Sequence, residues 1–180
     1  MKNQNTKKLA YAALLLALCL VLPMLTGQIP QIGSMLLPMH IPVLLCGLVC
    51  GWQYGAAVGF VAPLLRSVLF WMPPMYPVAI AMAFELLTYG LVIGLVYRRM
   101  AQKGAAGVYA ALLTAMVAGR LVWGVAEVVL LGLGGTAFTA QAFLAGALLN
   151  AVPGIIVQLV LIPAVMAALQ KAGAVKEYAE

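Results

Sequence analysis

Arg66, Glu85, Arg120 and Glu127 are the only ionisable side chains inside the long apolar stretches of this chain. Charged groups at such positions are costly in a bilayer, so they face a partner or a cavity rather than lipid. An arginine fork can grip a carboxylate with two parallel hydrogen bonds, and a glutamate can accept from a hydroxyl or an amide. Asn150 and Gln158 add amide groups, while Tyr89, Trp123 and Met82 add aromatic and apolar cover.

Helical spacing groups these residues. Met116, Arg120, Trp123 and Glu127 follow i, i+4, i+7, i+11 and share one face, as do Glu85, Thr88 and Tyr89. Asn150 and Gln158 flank Pro153 and Gly154, where local unwinding can bare backbone groups. At about 1.5 Å of rise per residue, Arg66, Glu85 and Glu127 lie roughly 9–10 Å below one membrane boundary and Asn150 about 12 Å. Polar groups from four segments are therefore expected at one depth.

Two arrangements satisfy that pattern. Arg66 can pair with Glu85 and Arg120 with Glu127, stapling the bundle. Alternatively the residues line a solute pocket with aromatic walls and a few placed polar groups. The pocket is preferred, because ion pairing does not explain why Asn150 and the aromatics gather at the same level. The two are compatible.

Other chemistries lack their residues. The chain has no aspartate, which excludes a paired-aspartate protease, and its serines are only Ser34 and Ser67 beside one histidine, His40. No G-x-x-x-x-G-K-[ST] loop is present, so ATP is not bound in the P-loop manner. Cys19, Cys46 and Cys50 sit among apolar residues and are expected to pack rather than hold a metal. The chain is expected not to be an enzyme and to bind no cofactor itself.

The elements that must position these residues follow from composition. Of 180 residues 66% are hydrophobic and 8% charged, with a mean hydropathy of +1.10, which indicates an integral membrane protein. Apolar blocks at 9–25, 41–51, 54–72, 78–97, 108–133 and 142–169 predict an all-α bundle of six crossings in a single membrane domain, with a short second helix. The first block follows Lys2, Lys7 and Lys8 without an A-x-A-like cleavage site and is expected to be a retained helix.

Charge orients the bundle. With six crossings and a cytoplasmic N-terminus, Lys2, Lys7, Lys8, Arg98, Arg99, Lys103, Lys171 and Lys176 all fall on the inner side. Treating 41–72 as one crossing would move Arg98, Arg99 and Lys103 outside, so a turn near Gly51 to Gln53 is predicted. The net charge of +6 is met by anionic headgroups and needs no nucleic acid. Gly47, Gly51, Gly55 and Gly59 recur every four residues and predict close packing of the second and third helices. His40, between Pro38 and Pro42 at the outer boundary, is expected to anchor the preceding loop in a wet interfacial position rather than contact a solute, although it stays among the candidate site residues.

The stretches LAYAALLLA (9–17), PMHIPVLLCGLVCGWQYGAAVGFVAPLLRS and MPPMYPVAIAMAFELLTYGLVIGLVY resemble the substrate-binding S component of energy-coupling factor (ECF) vitamin transporters, in the pantothenate- and riboflavin-type group, over about 9–169. The resemblance implies a six-helix bundle with both termini cytoplasmic in a prokaryotic plasma membrane. It implies a vitamin held near the outer face by the last three helices under a lid, here 27–40. Ala13 and Ala17 would dock on a transmembrane scaffold subunit coupled to two ATPases that spend the ATP, and the loaded component would topple in the membrane. Glu85, Tyr89, Arg120, Trp123, Glu127, Asn150, Gln158 and His40 are the candidate ligand residues. A pantothenate-like solute fits loosely, with pyridoxine- or pyrimidine-like compounds next. A stand-alone secondary transporter or small channel, and a structural protein whose buried charges only staple helices, are the other classes open to this sequence.

Overall fold

The computed structural model describes residues 2–25, 35–135, 139–146 and 150–173, and the regular structure there is helical. The helices are α1 (Lys2–Leu25), α2 (His40–Cys50), α3 (Trp52–Phe70), α4 (Ile80–Met100), α5 (Ala105–Leu133), α6 (Ala140–Leu144) and α7 (Val152–Lys171). An irregular turn, Met75–Ala79, leads into α4, with Tyr76 extended within it. Five of these helices are long and apolar enough to cross a bilayer.

The short apolar helix α2 has 11 residues, about 16 Å, or half a hydrocarbon core. It tolerates that length because it is the innermost element: eight of its residues are buried, against α1, α3, α4 and α7. A helix sheathed in protein need not match the lipid thickness. Gly51 ends it at φ 98°, ψ 168°, a backbone conformation open to glycine, and α3 starts at the next residue. The predicted turn is therefore present.

The glycine ladder packs against more than one helix. A Cβ on Gly55 would lie 2.6 Å from the Gly47 Cα and 2.8 Å from the Gly90 carbonyl oxygen, and one on Gly59 would strike the Leu86 carbonyl. Gly90 and Gly94 on α4 form the receiving face, which the sequence reading missed although they share the four-residue period. Backbone here meets backbone, so nothing can rotate aside. Gly90→Val is expected to cost about 3 kcal/mol or more, at the upper end of overpacking penalties, read as a lower melting temperature in detergent with the wild type alongside.

Two boundaries differ from expectation. α1 starts at Lys2 rather than near 9, because no breaker separates the basic end from the apolar run. The last block, expected as one helix over 142–169, is two elements, α6 and α7. Pro153 at the first turn of α7 explains the restart, since proline is favoured where its missing N–H leaves no helical bond unmade.

α1 lies on the outside of the bundle. Ala12 and Cys19 face the core, whereas Ala13 and Ala17 are exposed together with Leu9, Leu14, Leu18 and Val21. Residues 27–34 of the expected lid lie outside the described residues; within its described part, 35–40, Met35–Leu36 packs on α7, where a Cβ on Gly154 would lie 2.6 Å from the Met35 carbonyl oxygen.

Candidate functional site

The buried charges converge on Glu85, which α4 places one turn inside its start. Glu85 is 1% exposed, and its Oε1 lies 2.9 Å from Arg120 Nη1 on α5 and 3.4 Å from His40 Nε2 at the head of α2. The Tyr89 ring, next on the same face of α4, meets the His40 ring edge-on at 5.2 Å. Gly119 makes room for Tyr89, since a Cβ there would lie 2.9 Å from the ring. Three helices thus meet around one carboxylate, and Tyr89 is core packing at 2% exposure rather than an open wall.

Neither ion pair of the stapling arrangement is present among the described residues. Arg120 pairs with Glu85, not Glu127, because α5 has 29 residues, about 43 Å, and overshoots a core of about 30 Å. Its Leu133 end projects past the start of α4, where Tyr76 donates its hydroxyl to the Leu130 carbonyl. Equal depth below block ends therefore does not mean equal depth in the bundle. Arg66 does not pair with Glu85; its Nη1 donates to the Leu20 carbonyl of α1 and its guanidinium covers the Phe70 ring at 5.3 Å.

The remaining candidates divide. Trp123 covers the Arg120 guanidinium at 5.9 Å, hydrogen-bonds to Glu127 one turn on, and stacks with Phe143 of α6 at 6.1 Å between centroids. Gly124 and Gly146 let these rings approach, because Cβ atoms there would run into Phe143 and Trp123. Phe143 escaped the sequence reading; an aromatic among small residues just before Pro153 was the available signal. Gln158 on α7 is 1% exposed, and its Nε2 meets no acceptor among the described residues. Asn150 is exposed in the turn before α7 and is not buried with the cluster. The Thr88 hydroxyl is spent on its own helix, at 2.8 Å from the Phe84 carbonyl. His40, expected to be wet, is buried at 1% because α2 draws it under Tyr89.

This arrangement can bind but offers no nucleophile and base in sequence. Arg120 presents donors to an anion or carbonyl, with an aromatic lid over its face. A cavity of about 320 Å³ lies elsewhere, at the Gly51 turn, lined by Lys8, Cys50, Gln53, Tyr97 and Arg98. It puts Lys8 and Arg98 at one end of the bundle and opposite the Glu85 cluster, as the charge pattern required.

Residues 7–166 match the family model described as ECF transporter, substrate-specific component. No curated protein and no solved structure matches the chain.

Proposed function

The chain belongs to the family of ECF transporter substrate-specific components, and from that premise we propose that it captures a water-soluble vitamin or related small metabolite at the Arg120–Trp123 level of the bundle. The observation that carries this is the Arg120 guanidinium, whose face is covered by Trp123 and whose buried Nε and Nη2 meet no acceptor among the described residues. A purely structural arginine would be satisfied by the bundle itself.

In this reading α1–α5 and α7 make six crossings with both termini cytoplasmic, which sets the Glu85 cluster in the outer half and the basic helix ends inside. The solute enters from outside, beneath the segment that ends at Met35–Leu36. A transmembrane scaffold subunit and two ATPases supply the energy, and this chain supplies recognition.

Thermal stabilisation of the purified chain across a panel of water-soluble vitamins tests the proposal. A solute at 100 times its dissociation constant adds about 2.7 kcal/mol, so one member is expected to raise the melting temperature clearly. Trp123→Ala is expected to weaken that binding by about 10- to 100-fold, the worth of about 1.4–2.8 kcal/mol of lost aromatic contact. A panel with no shift, or gradient-driven uptake by the chain alone in proteoliposomes, would reject the assignment.

A further inference from the structure

We infer that the solute presents a single carboxylate to the Nε–Nη2 edge of Arg120; this rests on the capture role proposed above and narrows the solute to a monoanion. Arg120 uses Nη1 on Glu85 at 2.9 Å and offers its face to Trp123 at 5.9 Å. Its Nε and Nη2 are buried and meet no acceptor among the described residues. These two nitrogens lie on one side of the planar guanidinium, where their N–H bonds run parallel. A carboxylate fills both with its two oxygens, whereas a carbonyl or hydroxyl oxygen fills one well.

The chain has no carboxylate to spare for that edge. It contains four acidic residues, Glu85, Glu127, Glu177 and Glu180. Glu85 already holds the other nitrogen, and Glu127 is engaged by Trp123 on its own helix. Glu177 and Glu180 belong to the C-terminal tail, outside the described residues. The 26–34 segment contains no acidic residue, so it has no carboxylate to bring to the fork. A buried donor pair in a membrane bundle is expensive to leave unfilled, and since no carboxylate among the described residues fills this one, the matching group is assigned to the solute.

Glu85 also limits the charge. Its carboxylate shares the same guanidinium, so a phosphate ester carrying two charges would meet like charge across Arg120, and one charge is the most the pair accommodates. Gln158 on α7, with Nε2 open at 1% exposure, adds a second buried donor suited to a neutral acceptor such as an amide carbonyl or hydroxyl. The solute class is a small monocarboxylate bearing at least one uncharged polar group.

The test compares solutes that differ only at the acid: pantothenate with panthenol, nicotinate with nicotinamide, and biotin with biotinol, alongside pyridoxine, thiamine and riboflavin, titrated by calorimetry into the full chain in detergent. The tightest binder is expected to be one of the acids, with its uncharged counterpart weaker by at least about 100-fold, because a site built to hydrogen-bond a group rejects the analogue lacking it. Arg120→Lys keeps a charge for Glu85 but loses the fork, and is expected to weaken the acid by a similar factor, so that the acid's advantage over its uncharged counterpart collapses to a few fold. Trp123→Ala is expected to weaken both members of the pair alike. A neutral or cationic vitamin as tightest binder, or an acid and its counterpart within a few fold, overturns the carboxylate assignment while the capture role stands. Binding of no vitamin removes both. The wild-type comparison needs no variant to fold.

Discussion

Glu85→Ala is expected to give a chain that inserts in the membrane but melts about 6–20 °C below the wild type in the same detergent. Removing one partner of a buried ion pair costs about 3–5 kcal/mol, and a chain of this size loses about 2–4 °C per kcal/mol. The cost is high because Arg120 would lose the one carboxylate it pairs with among the described residues. His40 and Tyr89 would lose the group they pack around.

Pairing the substitution with a second one separates stability from recognition. Glu85→Ala combined with Arg120→Met removes both charges and fills the space with an apolar chain, which is often neutral for buried pairs. Its melting temperature is expected within a few degrees of the wild type, with solute affinity still lost. A single variant as stable as the wild type would show that Arg120 finds other company, and the three-helix junction would lose its central contact.

Much of the bundle was legible because lipid imposes strict rules. Hydropathy located the blocks, basic residues put Lys8 and Arg98 at one end, and the four-residue glycine period announced close backbones before Gly55 was seen on Gly47 and Gly90. Arg66, Glu85 and Glu127, though not His40, were equally plain as buried ionisable residues. Their partners were not, because pairing depends on the axial offset between α4 and α5. That offset comes from where Gly119 accepts Tyr89 and from how far α5 overshoots, neither of which hydropathy encodes. Arg66 illustrates the same limit, since a backbone carbonyl as partner leaves no side-chain signature. Pro153 and Gly154 were recognised as a place of unwinding, but only the structure made them the start of a helix.

Ala13→Trp and Ala17→Trp, singly and together, are expected to abolish uptake in cells carrying the scaffold and ATPase subunits while leaving vitamin affinity within about twofold of the wild type. Both alanines point away from the bundle on α1, so an indole there meets lipid in the isolated chain and disturbs no internal contact. At a helix–helix interface the same indole holds the backbones apart, because small residues are what permit their close approach. A penalty of about 2–3 kcal/mol at the interface corresponds to a complex weakened by about 30- to 150-fold. Co-purification with the scaffold should fall in parallel with uptake. Intact complex and uptake in the double variant would move the docking face elsewhere on the bundle, and a loss of vitamin binding would mean that α1 is coupled to the site it was expected only to carry. In the proposed cycle the exposed alanines of α1 report on partner engagement and Arg120 on solute capture, and each is expected to be broken without the other.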